Sequence, residues 1–302
     1  MAEESRSVLV TGGVGFIGRN LCTALTERRW NVVCLDSDPG DVAGCEKCDI
    51  SEAAPLEAIF QGHQFEAIIH LASVLATDSR EDPYKSTKVN IGGSLNILGA
   101  AKRFRVGKVI YASSLAVYGT RPASLFVSED EAVTPEDLYG ASKRYVELLG
   151  QAYQQNFGIR FVALRIAIVV GAGAKSVTSA WRGQIFESLE AGQSMEFAIP
   201  YPAEEVLPLV HVEDVVAMLV ALVSARKPTA SVYNSFAESV TASELKHNIE
   251  LLNPKVRVKL GGRVVRGHPR AVDSGRFGKD FGIAAMPLRE RLRIAVEAVH
   301  RA

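Results

Sequence analysis

Apolar residues arrive in short runs separated by longer stretches of helical periodicity, and this alternation holds from the start of the chain to about residue 166. The runs at 7–10, 31–35, 45–49, 67–71, 108–112 and 160–166 are continuous, as in strands buried on both faces of a parallel sheet. Between them, 16–28, 51–60, 82–102 and 139–157 carry amphipathic helical patterns, with Ser51 expected to cap the second. The predicted fold class is α/β, a doubly wound parallel sheet.

Beyond residue 166 the rhythm weakens. Gly171, Gly173, Gly192, Pro200, Pro202 and Pro208 surround one helical pattern at 176–190 and suggest an insertion outside the sheet. A helix at 212–224 and a strand at 231–234 return to it. Thr241 and Glu244 form a capping box for a helix at 242–251, and Pro287 opens a last amphipathic helix reaching about residue 300. The expected division is a sheet domain of residues 1–170 and 211–240 beside a smaller, discontinuous lobe of 171–210 and 241–302.

Charge changes the picture only by exclusion. With 34 basic and 34 acidic side chains the chain is formally neutral and offers no bulk field for nucleic acid or an anionic membrane. Hydrophobic residues make up 47%, yet none of the runs reaches the roughly 20 positions of a bilayer span, and MAEESRS is unlike a signal peptide. A cytoplasmic protein with a small-molecule partner is expected. The four cysteines, Cys22, Cys34, Cys45 and Cys48, crowd the first fifty residues, so reduced thiols are expected. Cys45 and Cys48 form a lone CxxC without the further ligands of a structural zinc site, so no metal is expected.

The first predicted strand runs into Thr11-Gly12-Gly13-Val14-Gly15-Phe16-Ile17-Gly18 and then a helix. Glycines at 12, 15 and 18 permit a tight strand-to-helix turn and let a pyrophosphate approach the free N–H groups of the helix start, the Rossmann arrangement. Asp36, ending the second strand, is placed to accept hydrogen bonds from both adenosine ribose hydroxyls. Its charge would repel a 2′-phosphate, so the expected cofactor is NAD. Arg19 is the dissenting residue, able to pair with a phosphate or to sit solvated on its helix.

Tyr139 and Lys143 stand four residues apart at the start of the 139–157 helix and so share a face. A phenol of pKa about 10 is a poor base at neutral pH. A nearby ammonium and the positive nicotinamide ring both favour phenolate, which can take the proton of a secondary alcohol while hydride leaves for the cofactor. Ser113 and Ser114 end the fifth strand, at the edge where doubly wound sheets bind ligands, and supply a hydroxyl for the substrate oxygen.

Together these residues resemble the short-chain dehydrogenase/reductase superfamily, specifically its extended branch, the NAD-dependent epimerase/dehydratase family. The resemblance runs over essentially the whole chain. It includes TGGVGFIG at 11–18, Asp49-Ile50, His70-Leu-Ala-Ser73, Asn90 in VNIGGSLNIL, Ser113-Ser114 before LAVYG, Tyr139 to Lys143, Leu164-Arg165 and His211-Val-Glu-Asp214. It implies Ser114 as the substrate-side hydroxyl, Tyr139 as the acid/base and Lys143 as the ribose and phenolate partner. Cofactor contacts would come from Gly12, Gly15, Phe16, Ile17, Gly18, Asp36, Asp49, Ile50, Leu71, Ala72, Ser73, Asn90, Ala112 and Ser113, besides Tyr139 and Lys143. His70 and His211 are expected to be structural, with His211 and Asp214 anchoring the second lobe. By analogy, the 82–102 and 139–157 helices would pair across the two-fold axis of a homodimer.

Three departures narrow the chemistry. Family members that dehydrate nucleotide sugars carry an Asp-Glu pair after the strand-end hydroxyl, whereas Leu115 and Ala116 stand here and cannot move a proton. Family epimerases hold the nucleotide diphosphate with an asparagine and an arginine, and the matching positions are Ile168 and Leu207. In this respect the chain is more similar to family dehydrogenases of small hydroxy compounds, such as threonine, uronate and erythronate. Arg182, or His268 and Arg270, could bind a substrate carboxylate or serve as surface charge. The leading expectation is an NAD-dependent oxidoreductase acting on a secondary hydroxyl of a small polyhydroxy substrate: a sugar, sugar acid or hydroxy amino acid. The alternatives are a nucleotide-sugar epimerase that retains NAD and a non-catalytic dinucleotide-sensing regulator, which the intact Ser114, Tyr139 and Lys143 oppose.

Overall fold

The computed structural model describes residues 6–120, 126–174 and 179–299, the side chains of the last two excepted. The chain begins with β1 (Ser7–Thr11), α1 (Phe16–Glu27), β2 (Asn31–Asp36), β3 (Cys45–Lys47), α2 (Ala53–Gly62) and β4 (Ala67–His70). Then come α3 (Ala76–Glu81), α4 (Pro83–Thr87), a π-helical turn at Lys88–Gly93, α5 (Ser94–Arg103) and β5 (Lys108–Ser114). A 3₁₀ turn at Leu115–Tyr118, α6 (Leu138–Phe157) and β6 (Arg160–Ile166) complete the first half. The second half runs β7 (Ile168–Val170), α7 (Trp181–Glu190), β8 (Met195–Ile199), β9 (Val206–His211), α8 (Val212–Ser224), β10 (Val232–Asn234) and β11 (Glu238–Thr241). It ends with α9 (Ala242–Leu252), β12 (Val256–Leu260), α10 (Gly275–Phe281) and α11 (Leu288–Val299).

The fold is the expected α/β class. Seven strands form one sheet in the order β10-β6-β5-β4-β1-β2-β3, every neighbouring pair parallel. Because β1 pairs with β2 on one side and β4 on the other, the chain leaves these strand ends in opposite directions and opens a crevice there. Leu21 and Leu25 of α1 and Leu219 of α8 cover one face with Val8, Val10 and Ile69. Phe60, Leu98 and Val146 of α2, α5 and α6 cover the other with Leu9, Ile68 and Phe161. No helix among the described residues is long and apolar enough to cross a membrane.

The second half differs from the expected pattern. The 171–210 stretch lies outside the seven-stranded sheet around α7, as expected, but it also carries strands: β9 joins β7 and β11 in a three-stranded sheet, and β8 pairs with β12 in a two-stranded one. Trp181, Phe186, Leu209, Ile249 and Leu292 pack a third core between them. Pro208 looks like a strand breaker, yet it faces Ser239 of β11 at a point where β7, which pairs only from Leu209 onward, no longer needs its missing N–H. The α7 helix is seen over Trp181–Glu190; the expected start at 176–178 lies outside the described residues, as does residue 300 at the end of α11.

Several local details are corrected. Ser51 does not cap α2: its hydroxyl and amide both donate to Asp49 Oδ1, at 2.7 and 2.9 Å, and Glu52 takes the cap position. The expected 82–102 helix is interrupted by the π turn that carries Asn90. Nor are all the thiols free. Cys34 and Cys45 lie directly opposite each other on β2 and β3, with Cα atoms 4.6 Å apart, and are joined as a disulfide, while Cys22 and Cys48 stay unpaired. The capping box of α9 is present as expected, Thr241 and Glu244 bonding reciprocally.

Candidate active site

The crevice between the β1 and β4 ends opens into a cleft of about 1290 Å³. Its dinucleotide end is built on backbone. Gly12 has φ +70°, and a Cβ there would lie 2.8 Å from the Ala72 amide; a Cβ on Gly18 would overlap the Gly12 carbonyl. These two positions let α1 start hard against the end of β1. Gly15 caps that helix without a side-chain hydrogen bond, and its first turn carries no acidic residue, so the leading N–H groups are available to a phosphate. Asp36 closes the wall, its carboxylate accepting from the amides of Val14 and Asp38, each at 3.2 Å. A glycine cradle that any Cβ would fill, a free helix start and a strand-end carboxylate together fit NAD.

Asp49, Ile50, Leu71, Ala72, Ser73, Phe16, Ile17, Ala112 and Ser113 line the same cleft. Asn90 does not. It lies buried behind the wall, its amide oxygen accepting from Val74 N at 2.7 Å and its nitrogen donating to Val74 O at 3.0 Å and to Ser142 Oγ at 3.4 Å. Its polar atoms are thus committed to the segment after β4 and to α6. Arg19 neither pairs with a phosphate site nor floats in solvent: it donates to the Gly173 carbonyl and lies over the Phe16 ring.

Asp137 caps α6 by accepting from Gly140 N at 2.7 Å, and this cap turns Tyr139 into the cleft. Tyr139 is hydrogen-bonded to Ser114. One turn on, Lys143 donates to the Ala112 carbonyl at 2.8 Å, its nitrogen 5.4 Å from the Tyr139 ring centre. Burial acts on both groups, pushing the phenol up to about 12 against the Ser114 hydrogen bond and Lys143 down to about 7 against the charge of Glu147. Ser114, Tyr139 and Lys143 therefore meet beside the glycine turn, and a proton can pass between substrate oxygen and phenol there.

Behind them lies a buried ionic cluster. Glu147, fully buried on α6, accepts from Arg165 Nε at 2.9 Å and Nη2 at 2.8 Å, from Ser113 Oγ at 2.6 Å and from Arg144 at 3.0 Å. Burial works against its carboxylate, but Arg165 outweighs it and holds the pKa below the ordinary value. Arg165 also donates to the Tyr118 hydroxyl at 2.7 Å. The cluster pins β5, β6 and α6 together just where the Ser114 and Lys143 side chains leave them.

His70 bridges Thr11 and Ser94, at 2.7 and 2.9 Å, one partner for each ring nitrogen. His211 caps α8 and packs on Phe186, while Asp214 binds Arg291 of α11 at 2.7 Å. Burial, reinforced by the Lys143 charge, lowers the His70 pKa from 6.5 to about 3. The unfolded chain then binds a proton below pH 6.5 that the native state refuses down to about pH 3, so stability falls as pH drops through this window. At pH 5 this one residue costs about 2 kcal/mol. Urea unfolding at pH 7 and pH 5 is expected to give a smaller pH difference in His70→Asn than in the parent; an equal difference would refute this assignment.

The substrate side was only partly foreseen. Arg182 and His268 line the cleft, whereas Arg270 does not. Ile168 lines it too, but Leu207 is fully buried in the third core and does not reach the site. Tyr201, Arg263 and Arg266 also line it and were missed. The available signal was the basic segment GGRVVRGH directly after the alternating run that forms β12.

Residues 8–234 match the sequence profile described as the NAD dependent epimerase/dehydratase family. A UDP-glucose 4-epimerase of Azospirillum brasilense is 35% identical over 177 residues, which cover 56% of this chain and 50% of that protein. The chain thus matches about half the length of this relative. Among solved structures, the L-threonine dehydrogenase of Phytophthora infestans superposes with a TM-score of 0.88 over 98% of this chain and 99% of its own, at 24% identity. The UDP-glucose 4-epimerase of Thermotoga maritima does so with a TM-score of 0.84 over 98% and 99%, at 25% identity. With its glycine cradle, its Tyr139–Lys143 helix and a profile match over most of its length, the chain belongs to the NAD dependent epimerase/dehydratase family.

Proposed function

We propose that the protein is an NAD-dependent dehydrogenase that oxidises a secondary hydroxyl of a small polar substrate to the ketone. The observation that carries this reading is the hydrogen-bonded Ser114–Tyr139 pair, with Lys143 one turn away, in the same cleft as the glycine cradle. Residues 1–170 and 211–240 hold the cofactor, and 171–210 with 241–302 form the substrate side. Gly12, Gly15 and Gly18 admit the pyrophosphate, Asp36 the ribose, and Lys143 the nicotinamide ribose. Bound NAD supplies the hydride acceptor. Tyr139 takes the hydroxyl proton as the C–H bond breaks, Ser114 holds the substrate oxygen, and the Lys143 ammonium stabilises the phenolate. In the reverse direction the same phenol returns the proton. Leu115 and Ala116 leave no group to expel water from a sugar.

Exposed apolar side chains on α5 and α6, Leu95, Tyr145 and Leu148, support pairing of two chains through these helices as a homodimer.

A second reading, a nucleotide-sugar epimerase that retains its NAD, draws support from Arg263 and Arg266, cations at the cleft that a diphosphate requires. One experiment separates the two. NADH formation is followed by its absorbance with sugar acids, aldoses and hydroxy amino acids, beside calorimetric titration of the NAD-loaded protein with UDP. NADH from a small substrate with weak UDP binding is expected. Tight UDP binding with no NADH from any small substrate would replace the dehydrogenase with the epimerase.

A further inference from the structure

The cleft contains a cation for which the described residues provide no counter-ion. Arg182, in the first turn of α7, is enclosed in the cleft, and its Nε is buried with no hydrogen-bond partner. The groups that act on its guanidinium are the hydroxyls of Tyr201, which is hydrogen-bonded to it, and of Tyr139; no carboxylate is among them. Beside it His268 Nδ1 is also buried and unpartnered. Burial, with Arg182 nearby, brings the His268 pKa down to about 4, so the imidazole is neutral and adds no charge of its own. An enclosed guanidinium without an anion is desolvated with no compensating partner, and an unpaired buried ring nitrogen adds to this cost.

Resting on the dehydrogenase reading, we infer that the substrate is a short hydroxy acid whose carboxylate binds the free edge of Arg182, with His268 donating or accepting a further hydrogen bond beside it. The guanidinium presents parallel N–H groups in a planar fork that matches the two oxygens of a carboxylate. Ile168, Val169 and Val265 add apolar lining to the cleft, and a charge-assisted pair enclosed there is little screened. Arg182 lies close enough to Tyr139 for its charge to lower the phenol's pKa, so the acid group and the reacting hydroxyl are near neighbours in the substrate. The overall change is hydroxy acid plus NAD to oxo acid, NADH and a proton: hydride goes to the cofactor and the hydroxyl proton to Tyr139.

The test compares matched substrates on the wild-type protein. A hydroxy acid found to reduce NAD is set against its primary amide, and kcat/KM is expected to favour the acid by about 10- to 100-fold, the worth of a hydrogen-bonded charge. Arg182→Gln is expected to raise KM for the acid by a similar factor, to leave NAD affinity unchanged and to narrow the acid-to-amide ratio; Arg182→Lys should restore part of it. Equal oxidation of acid and amide by the wild-type protein would overturn the carboxylate assignment while leaving the dehydrogenase intact, and this arm does not depend on any variant folding. An unchanged KM in a folded, NAD-binding Arg182→Gln protein would do the same. Absence of NADH from every small hydroxy compound, with epimerisation of a UDP-sugar, would instead remove the dehydrogenase reading itself.

Discussion

Tyr139→Phe is expected to lower turnover by about 10²–10⁴-fold while NAD affinity stays within a few-fold of the parent. Phenylalanine keeps the ring and removes only the hydroxyl that bonds Ser114. The dinucleotide end, built on Gly12, Gly18 and Asp36, lies on other elements and is untouched. The pH dependence has a definite sign. Burial holds the phenol protonated up to about 12 and lets Lys143 shed its proton near 7. Alcohol oxidation requires the phenol to lose its proton, which the positive nicotinamide ring of bound NAD would favour, so the parent rate should rise with pH, and that rise should be absent in Tyr139→Phe. Steady-state kinetics across pH and fluorescence titration with NAD check both halves; a variant that turns over at the parent rate would end the proposed role of the phenol.

Glu147→Gln is expected to destabilise the protein by about 3–5 kcal/mol, the cost of leaving one partner of a buried ion pair uncompensated. Arg165 is only 2% exposed, and its ion-pair partner among the described residues is Glu147. Replacing both residues, Glu147→Leu with Arg165→Met, should recover most of that loss, because two apolar side chains leave no orphaned charge. Urea unfolding of the two single variants and the double variant measures the coupling. If the single and double variants prove equally unstable, the cluster contributes through packing alone. The same change removes the acceptor for Ser113, next to Ser114, so the double variant should regain stability without regaining full turnover.

The first half of the chain was legible because its chemistry is local. A turn that must bring backbone to backbone, as at Gly12 and Gly18, restricts the residue type at fixed offsets, and Tyr139 with Lys143 needs only one helical turn to meet. Buried parallel strands write themselves as unbroken apolar runs. The second half is written differently. Strands β8 and β12 alternate, Pro208 imitates a break, and neither feature declares a partner, since their sheets join segments far apart in sequence. The disulfide was hidden for a related reason: Cys45-x-x-Cys48 draws attention along the chain, whereas Cys45 faces Cys34 across it. Family analogy placed Asn90 at the cofactor and Leu207 at the substrate, yet the hydrogen bonds of the one are spent on Val74 and the other is core.

The position of β10 beside β6 bears on how the protein is made. On the ribosome, β6 emerges with one edge bare, and its neighbour follows only after the segment that forms β7, β8, β9 and α8. At roughly 5–20 residues per second, several seconds pass before that edge is covered. An unpaired strand edge invites foreign strands for as long as it lasts. Synthesis of this protein therefore passes through a nascent form that already has its glycine turn but neither a sealed sheet nor His268, a form that chaperones rather than ligands would meet.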